Sequence, residues 1–170
     1  MSLPSEALNR EFVIDEEAVS RADPAQAILS ITTHAVLVGD VGLLLPTAEV
    51  SELVDRFPVC KLPNTPEWFS GVSSLRGNIT PVFDLHELFG ANVKSARRRA
   101  IVIGSGETSV AFWVDEMPRM VVLGADDDMS GDPPLPDFIK NHASRYFLKD
   151  YQIWIEWNVP QFFTALGKLL

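Results

Sequence analysis

Residues 61–85 read KLPNTPEWFSGVSSLRGNITPVFDL, and this stretch decides the fold. Two apolar-rich runs, residues 72–75 and 79–83, flank Arg76-Gly77-Asn78, where glycine and asparagine tolerate a positive φ. The pattern predicts two paired strands joined by a tight turn. Pro81 lacks a backbone N–H, so the second strand is predicted to lie at an edge or to contain a bulge.

Short apolar runs also recur between turn residues on both sides of this stretch. A hairpin is predicted around Gly39-Asp40 and another around residues 104–107, because both connections are rich in turn residues. The further predicted strands are 35–38, 41–45, 100–103, 109–114, 120–123 as a third strand beside the second hairpin, and 151–157. Many short strands with small helices at the corners indicate a small all-β barrel or sandwich.

Four segments carry helix signals, which are capping residues, proline at the first position or apolar residues at helical spacing. Local spacing favours helix over strand at residues 50–57, although strands are expected on both sides. The predicted helical segments are 50–57, one turn at 64–71 with Trp68 and Phe69, 85–89 ended by Gly90, and a C-terminal helix opened by Asn158 and Pro160. Residues 1–33 are predicted to form a polar, acidic N-terminal extension, and 34–170 the main domain.

Composition excludes several classes of protein. A chain of 170 residues with 14 basic and 23 acidic side chains is too short for a large multidomain enzyme, and its net charge of −9 disfavours nucleic-acid and anionic membrane binding. It has one cysteine, no signal-peptide pattern at its start and no apolar run near the ~20 residues of a membrane helix. We therefore expect a cytoplasmic protein.

The sequence offers no strong catalytic or metal-binding pattern. His34, His86 and His142 lie far apart in different predicted elements, and Cys60 has no histidine nearby. No catalytic residue, cofactor or metal is therefore expected, and an interaction module is favoured over an enzyme. The alternative is a calcium-binding or small hydrolytic domain that uses residues 126–137, whose acids and glycine partly imitate a calcium loop.

The opening stretch resembles the signature of the CheW family of chemosensory coupling proteins. The matching elements are Asn-Thr-Pro, Gly-Val, Leu-Arg-Gly and Pro-Val-Phe-Asp-Leu, in order and without a gap. Residues 100–103, 110–115 and 151–157 also resemble later strands of the family, so the resemblance covers about residues 34–168. Ser74 in place of asparagine, His86 in place of arginine and Ala111 in place of glycine depart from the family pattern.

The resemblance implies a fold and a function. The fold is all-β with short helices, namely two five-stranded SH3-like barrels that share one core, here with an N-terminal extension and a C-terminal helix. The function is that of a non-catalytic adaptor in chemotaxis signal transduction. Its implied partners are the regulatory domain of a CheA-type histidine kinase and the cytoplasmic tip of a methyl-accepting chemoreceptor. The extension and the C-terminal helix resemble the pilus-linked (PilI-like) branch, which serves twitching motility by type IV pilus. A regulatory domain detached from a longer kinase is a further alternative.

The resemblance also assigns residues to surfaces. The kinase-facing positions are Val50, Glu52, Cys60 and Leu62. The receptor-facing positions are Arg99, Ala111, Met117 and Met120. Arg76 matches the family's inter-barrel arginine, and it is interpreted as a structural clamp on backbone carbonyls or Asp84, with a direct partner contact as the alternative. Core packing is the alternative for Val50, Leu62, Met117 and Met120.

Overall fold

The computed structural model describes residues 30–47, 51–56, 58–92 and 98–170, and their strands form two five-stranded sheets. Sheet 1 has the order β8-β1-β2-β10-β9. Its strands are β1 (Ile31–Val38), β2 (Val41–Leu44), β8 (Arg119–Leu123), β9 (Ala143–Lys149) and β10 (Gln152–Trp157). Sheet 2 has the order β3-β6-β7-β5-β4. Its strands are β3 (Ser51–Val54), β4 (Phe69–Leu75), β5 (Asn78–Phe83), β6 (Arg99–Ile103) and β7 (Val110–Val114).

Each sheet closes on itself through a single bridge. In sheet 2 the segment after β3 returns to β4, where the N–H of Cys60 donates to the carbonyl of Val72 at 2.8 Å. In sheet 1 the segment after β8 reaches β9 through a bridge between Asp128 and Phe147. The predicted pair of five-stranded units is therefore confirmed.

Three short α-helices connect and cover the sheets in the described part of the chain. They are α1 (Leu85–Phe89), α2 (Asp137–Lys140) and α3 (Val159–Gly167). Gly90 ends α1 in the left-handed region with φ 64°, and the Asn158 side chain caps α3 by accepting from the N–H of Gln161 at 3.0 Å. The predicted helices at 85–89 and at the C-terminus are confirmed, and no described helix is long and apolar enough to cross a membrane.

The core lies between the two sheets and is completed by α3. The ring of Phe163 contacts Phe83 of β5 at 5.0 Å, Phe112 of β7 at 5.8 Å and Trp157 of β10 at 5.9 Å between centroids. Phe163 therefore joins both sheets and the last helix in one buried cluster. The shared core implied by the resemblance is present.

Two predicted helices are wrong. Residues 51–54 form β3, where Glu52 pairs with Val102 and Leu53 with Ile101, because cross-strand pairing outweighs the local helical spacing. Residues 64–69 form turns and the start of β4: the N–H of Phe69 donates to the carbonyl of Pro66 at 3.0 Å in a single turn, and Phe69 already pairs with Phe83 as a strand residue. Val50 lies outside the described residues.

Four strand predictions also differ from the structure. β8 pairs with β1 in sheet 1 and not with the β6–β7 hairpin. β5 is an internal strand despite Pro81, and the proline is tolerated because the ladder with β7 begins only at Val82. β9 was not predicted at all, and β1 begins at Ile31, inside the predicted extension, of which residues 1–29 lie outside the described part.

Candidate interaction surfaces

The described members of the predicted kinase-facing set, Glu52, Cys60 and Leu62, lie along the seam that closes sheet 2. Glu52 of β3 accepts from the guanidinium of Arg76, which follows β4, at 2.8 Å. The Arg76 side chain is mostly exposed, so this pair lies at the surface between the first and last strands of the sheet. Its net contribution to stability is about 1 kcal/mol or less, as for other exposed ion pairs.

Cys60 and Leu62 flank the same seam. Cys60 is exposed and is held by its backbone pair with Val72. This approach requires Gly71, because a Cβ at that position would overlap the carbonyl oxygen of Cys60, and its φ of 130° disfavours any side chain. Leu62 is 38% exposed, and Ile79, which the sequence reasoning missed, is 73% exposed on β5. Apolar side chains are thus available on the surface of sheet 2.

The predicted receptor-facing residues are divided between the sheets. Met117, just before β8 of sheet 1, is 60% exposed, and Met120, within β8, is 67% exposed. Arg99 lies on β6 of sheet 2, where its Nε donates to the carboxylate of Asp55 at 2.6 Å. The two methionines are available to a partner, whereas Arg99 is already held by an ion pair.

Ala111 is a correction to the predicted receptor surface. It has no exposed area, because β7 runs between β6 and β5 and the methyl group packs against Val82 and Val102. Its side chain is therefore a core residue and cannot contact a partner directly. The small size of residue 111 serves packing inside sheet 2.

The predicted clamp on Asp84 is made by a different arginine, which lies just before β6 of sheet 2. Arg76 binds Glu52 within sheet 2 and does not reach Asp84. Instead Arg98 forms a bidentate pair with Asp84, at 2.6 Å from Nη1 and 2.7 Å from Nη2, and lies over the ring of Trp113 at 5.2 Å. Bidentate guanidinium–carboxylate pairs are the strong form of this interaction, so Arg98 fixes Asp84 in place.

His86 connects this ion pair to a buried chain of hydrogen bonds between the sheets. This chain, called the joint, runs from Asp84 through His86 and Asp115 to Gly39. Its Nδ1 lies 3.2 Å from Oδ1 of Asp84, and its Nε2 lies 2.9 Å from Oδ2 of Asp115. The same Asp115 oxygen accepts from the N–H of Gly39 at 2.7 Å, and Gly39 is in the β1–β2 turn of sheet 1. Since Asp84, His86 and Asp115 belong to sheet 2 and its helix, this chain of hydrogen bonds ties one sheet to the other.

The hydrogen bonds of this network shift the pKa values of His86 and Asp84. Burial alone would lower the pKa of His86, but its hydrogen bonds to Asp84 and Asp115 outweigh that effect and raise it. Burial alone would raise the pKa of Asp84, but hydrogen bonds from His86 and Arg98 hold it well below its ordinary range. The arrangement therefore favours an imidazolium between two carboxylates.

The carboxylate groups of Asp127, Asp128 and Asp132, in the acidic segment 126–137, do not point to a common site. Asp127 accepts from the N–H of Gly124 at 2.8 Å, Asp128 from Arg145 at 2.6 Å and Asp132 from Lys140 at 2.9 Å. These carboxylates are directed to separate partners, and the described residues contain no group of acids, histidines or cysteines placed to hold a metal ion. The calcium alternative therefore gains no support from the geometry.

A cleft of about 760 Å³ between α3 and sheet 2 is a further feature of the surface. Its lining includes Phe83, Ile103, Val110 and Phe163, and no acidic, basic or imidazole side chain is among the described residues that line it. Acid–base or nucleophilic chemistry requires such groups within mutual reach. The cleft is thus an apolar surface feature without the parts of an active site.

Comparison with known proteins agrees with this architecture. Chemotaxis protein CheW of Helicobacter pylori is 25% identical over 93 residues, which cover 54% of this chain and 56% of the relative. Chemotaxis protein CheW of Klebsiella aerogenes is 30% identical over 100 residues, which cover 58% of each chain. The matched stretches therefore span little more than half the length of these curated relatives.

The fold and the family agree with each other. The crystal structure of the scaffolding protein TtCheW from Thermoanaerobacter tengcongensis superposes with a TM-score of 0.64 at 21% identity, over 82% of this chain and 96% of that one, and shows the same fold. The family model described as CheW-like domain matches residues 34–164, most of the two-sheet unit. The chain belongs to the CheW-like domain family.

Proposed function

We propose that this protein is a non-catalytic cytoplasmic adaptor that couples chemoreceptors to a CheA-type histidine kinase. The observation that carries this proposal is the pair of separate exposed apolar surfaces, one on each sheet. Leu62 and Ile79 lie on sheet 2, whereas Met117 and Met120 lie beside or on β8 of sheet 1. Exposed apolar side chains grouped on a surface are typical of sites for protein partners.

The kinase regulatory domain is assigned to the seam of sheet 2. Glu52, Cys60 and Leu62 flank this seam, and Val50 belongs to the same proposed surface by its position before β3. The apolar members supply contact area, and the exposed Glu52–Arg76 pair supplies a polar rim that sets orientation. Residues 34–170 form the adaptor domain in this proposal.

The receptor tip is assigned to the β8 side of sheet 1, at Met117 and Met120. Unbranched thioether side chains adapt to the shape of a partner, which suits a surface that receives a helical hairpin. The pathway served is chemotaxis or pilus-linked motility. Buried hydrogen bonds through His86 and Asp115 hold the two sheets that carry these surfaces to one another.

Two charge-introducing variants test the assignment by calorimetric titration with purified partners. Leu62→Asp is expected to weaken binding of the isolated kinase regulatory domain at least tenfold and to leave binding of a receptor cytoplasmic fragment unchanged. Met120→Asp is expected to do the reverse, so each variant is the matched control of the other. Equal effects of both variants on both partners, or no binding by the wild type, would contradict the proposal.

A further inference from the structure

The turn between β9 and β10 carries an unusual residue. Asp150 and Tyr151 are the only residues between the paired Lys149 and Gln152, and their φ values are 52° and 61°. A two-residue hairpin turn with two positive φ values is of type I′, in which Asn-Gly and related pairs are strongly preferred. A bulky aromatic side chain in this left-handed region is strained.

Packing within the protein does not offset this strain. Tyr151 is 104% exposed, so its ring has essentially the accessibility of a residue in an extended peptide. The aromatic ring of Tyr151 therefore buries no area that would stabilise the fold and offset the backbone strain. Strained residues of this kind concentrate at binding sites, where their placement serves a ligand or partner.

The β9–β10 turn, which carries Tyr151, borders an open groove of about 420 Å³ on sheet 1. The groove runs between β8 and the β9–β10 turn, and the residues on either side of Tyr151 both line it. On the opposite wall Met120 and Val122 are 67% and 48% exposed. The groove thus has exposed apolar side chains on its β8 wall, and the turn on its other side carries the exposed ring of Tyr151.

Arg119 supplies an available positive charge in the same groove. Its guanidinium lies over the ring of Trp154 at 5.0 Å and forms no ion pair with a described carboxylate. Lys149, in contrast, is held by the carbonyl of Val122 and by Asp127. In a chain of net charge −9, an unpaired cation beside the exposed apolar side chains of β8 is complementary to a carboxylate on an otherwise apolar segment.

We infer that Tyr151, Met120 and Val122 form a single docking groove for an apolar segment of the receptor tip that carries an acidic side chain, which pairs with Arg119. This inference rests on the proposed function and adds the β9–β10 turn and the charge of the partner to it. Aromatic side chains with few rotatable bonds make efficient anchors, because they bury a large area at a small entropic cost. The strain at Tyr151 is then explained by its use in binding.

The test is a titration of a purified cytoplasmic fragment of a methyl-accepting chemoreceptor from the same organism, combined with thermal melting of each variant. Tyr151→Asn is expected to weaken binding about tenfold or more and to leave the melting temperature unchanged or raise it, since asparagine tolerates a positive φ. Arg119→Gln is expected to weaken binding and to reduce its dependence on salt, because a screened ion pair has been removed.

Asp150→Gly is the matched control, because it relaxes the neighbouring residue of the same turn and keeps the tyrosine ring. It should bind the fragment at least as tightly as the wild type. Tyr151→Asn with unchanged binding, or with a lower melting temperature, would overturn the inference. If the wild type binds and only Met120→Asp weakens binding, the groove inference fails and the proposed function stands. A wild type that does not bind contradicts both.

Discussion

Replacement of His86 by glutamine is the most informative single perturbation of the fold. The imidazole is 1% exposed and makes one close contact with Asp115, at 2.9 Å, and a longer one with Asp84, at 3.2 Å. Glutamine has a similar volume but carries no titratable group. His86→Gln therefore removes the charge of the joint without leaving a large cavity.

The expected loss of stability follows from the hydrogen bonds that Asp84 and Asp115 keep in His86→Gln. Asp84 keeps both hydrogen bonds from Arg98 and the N–H of residue 86, so it loses little. Asp115 keeps the N–H of Gly39 but loses its contact with the imidazole. One hydrogen bond to a charged group contributes about 1.5–3 kcal/mol, so we expect His86→Gln to lower the free energy of unfolding by about 2–3 kcal/mol near pH 5.5.

The loss should depend on pH with a definite sign. The pKa of His86 is raised in the folded protein, so its contribution is complete below its unfolded pKa of about 6.5 and disappears as pH rises through the folded pKa. The pKa of Asp84 is lowered, so its contribution is complete above about 3.9 and disappears as pH falls toward the folded pKa. Wild-type stability should therefore be greatest between about pH 4 and 6.5 and decline on both sides.

Urea denaturation from pH 5 to 9 measures this effect directly. The wild type should lose stability across the alkaline range, whereas His86→Gln should have a flatter profile that approaches the wild type at high pH. His34→Gln is the control, because it removes an exposed imidazole from β1 and should change stability by about 0.5 kcal/mol or less. Parallel pH profiles for the wild type and His86→Gln would refute the argument.

Three other substitutions test the packing. Phe163→Ala should lower the free energy of unfolding by about 3–5 kcal/mol in urea denaturation, since the ring joins both sheets; a loss below about 1 kcal/mol would contradict the shared core. Gly71→Ala should cost about 3 kcal/mol by thermal melting, because the methyl group overlaps Cys60, and an unchanged melting temperature would contradict this. Arg76→Gln should cost about 1 kcal/mol or less in urea denaturation, as for any exposed pair with Glu52, and a loss above about 2 kcal/mol would restore an inter-barrel role.

The parts of the fold that depend on neighbouring residues could be predicted from the sequence. The β1–β2 hairpin follows from Gly39-Asp40 between two apolar runs, and α3 follows from the Asn158 cap and Pro160. In both cases the turn or cap is specified by side chains within a few positions of it. The same holds for α1, which ends at Gly90.

The parts that depend on distant residues could not be predicted in this way. Residues 51–54 carry a helical pattern but form β3, because β6 lies beside them. β8 follows the β6–β7 hairpin in the chain but pairs with β1, and the parallel pair of β2 and β10 joins Leu43 to Ile155. Such pairings are decided by how the two sheets share a core, which local periodicity does not encode.

The candidate surfaces also combine features that could be predicted from the sequence with features that depend on distant residues. The exposure of Met117 and Met120 agrees with the surface role that the resemblance implied, but Ala111 is fully buried. Both Arg76 and Arg98 are plausible partners for Asp84 by charge, and sequence spacing cannot choose between them. The departure from the family pattern at His86 was visible in the sequence, but its two carboxylate contacts required the fold.

In the proposed function, one chain binds two partners at once through different sheets, and a bridging assay measures this simultaneous binding. A receptor cytoplasmic fragment is immobilised, and retention of the purified kinase regulatory domain is measured with and without this protein. The account predicts that the kinase domain is retained only when the protein is present, and that Leu62→Asp and Met120→Asp each abolish retention. Competition between the two partners, with no ternary complex at saturating concentrations, would contradict the account.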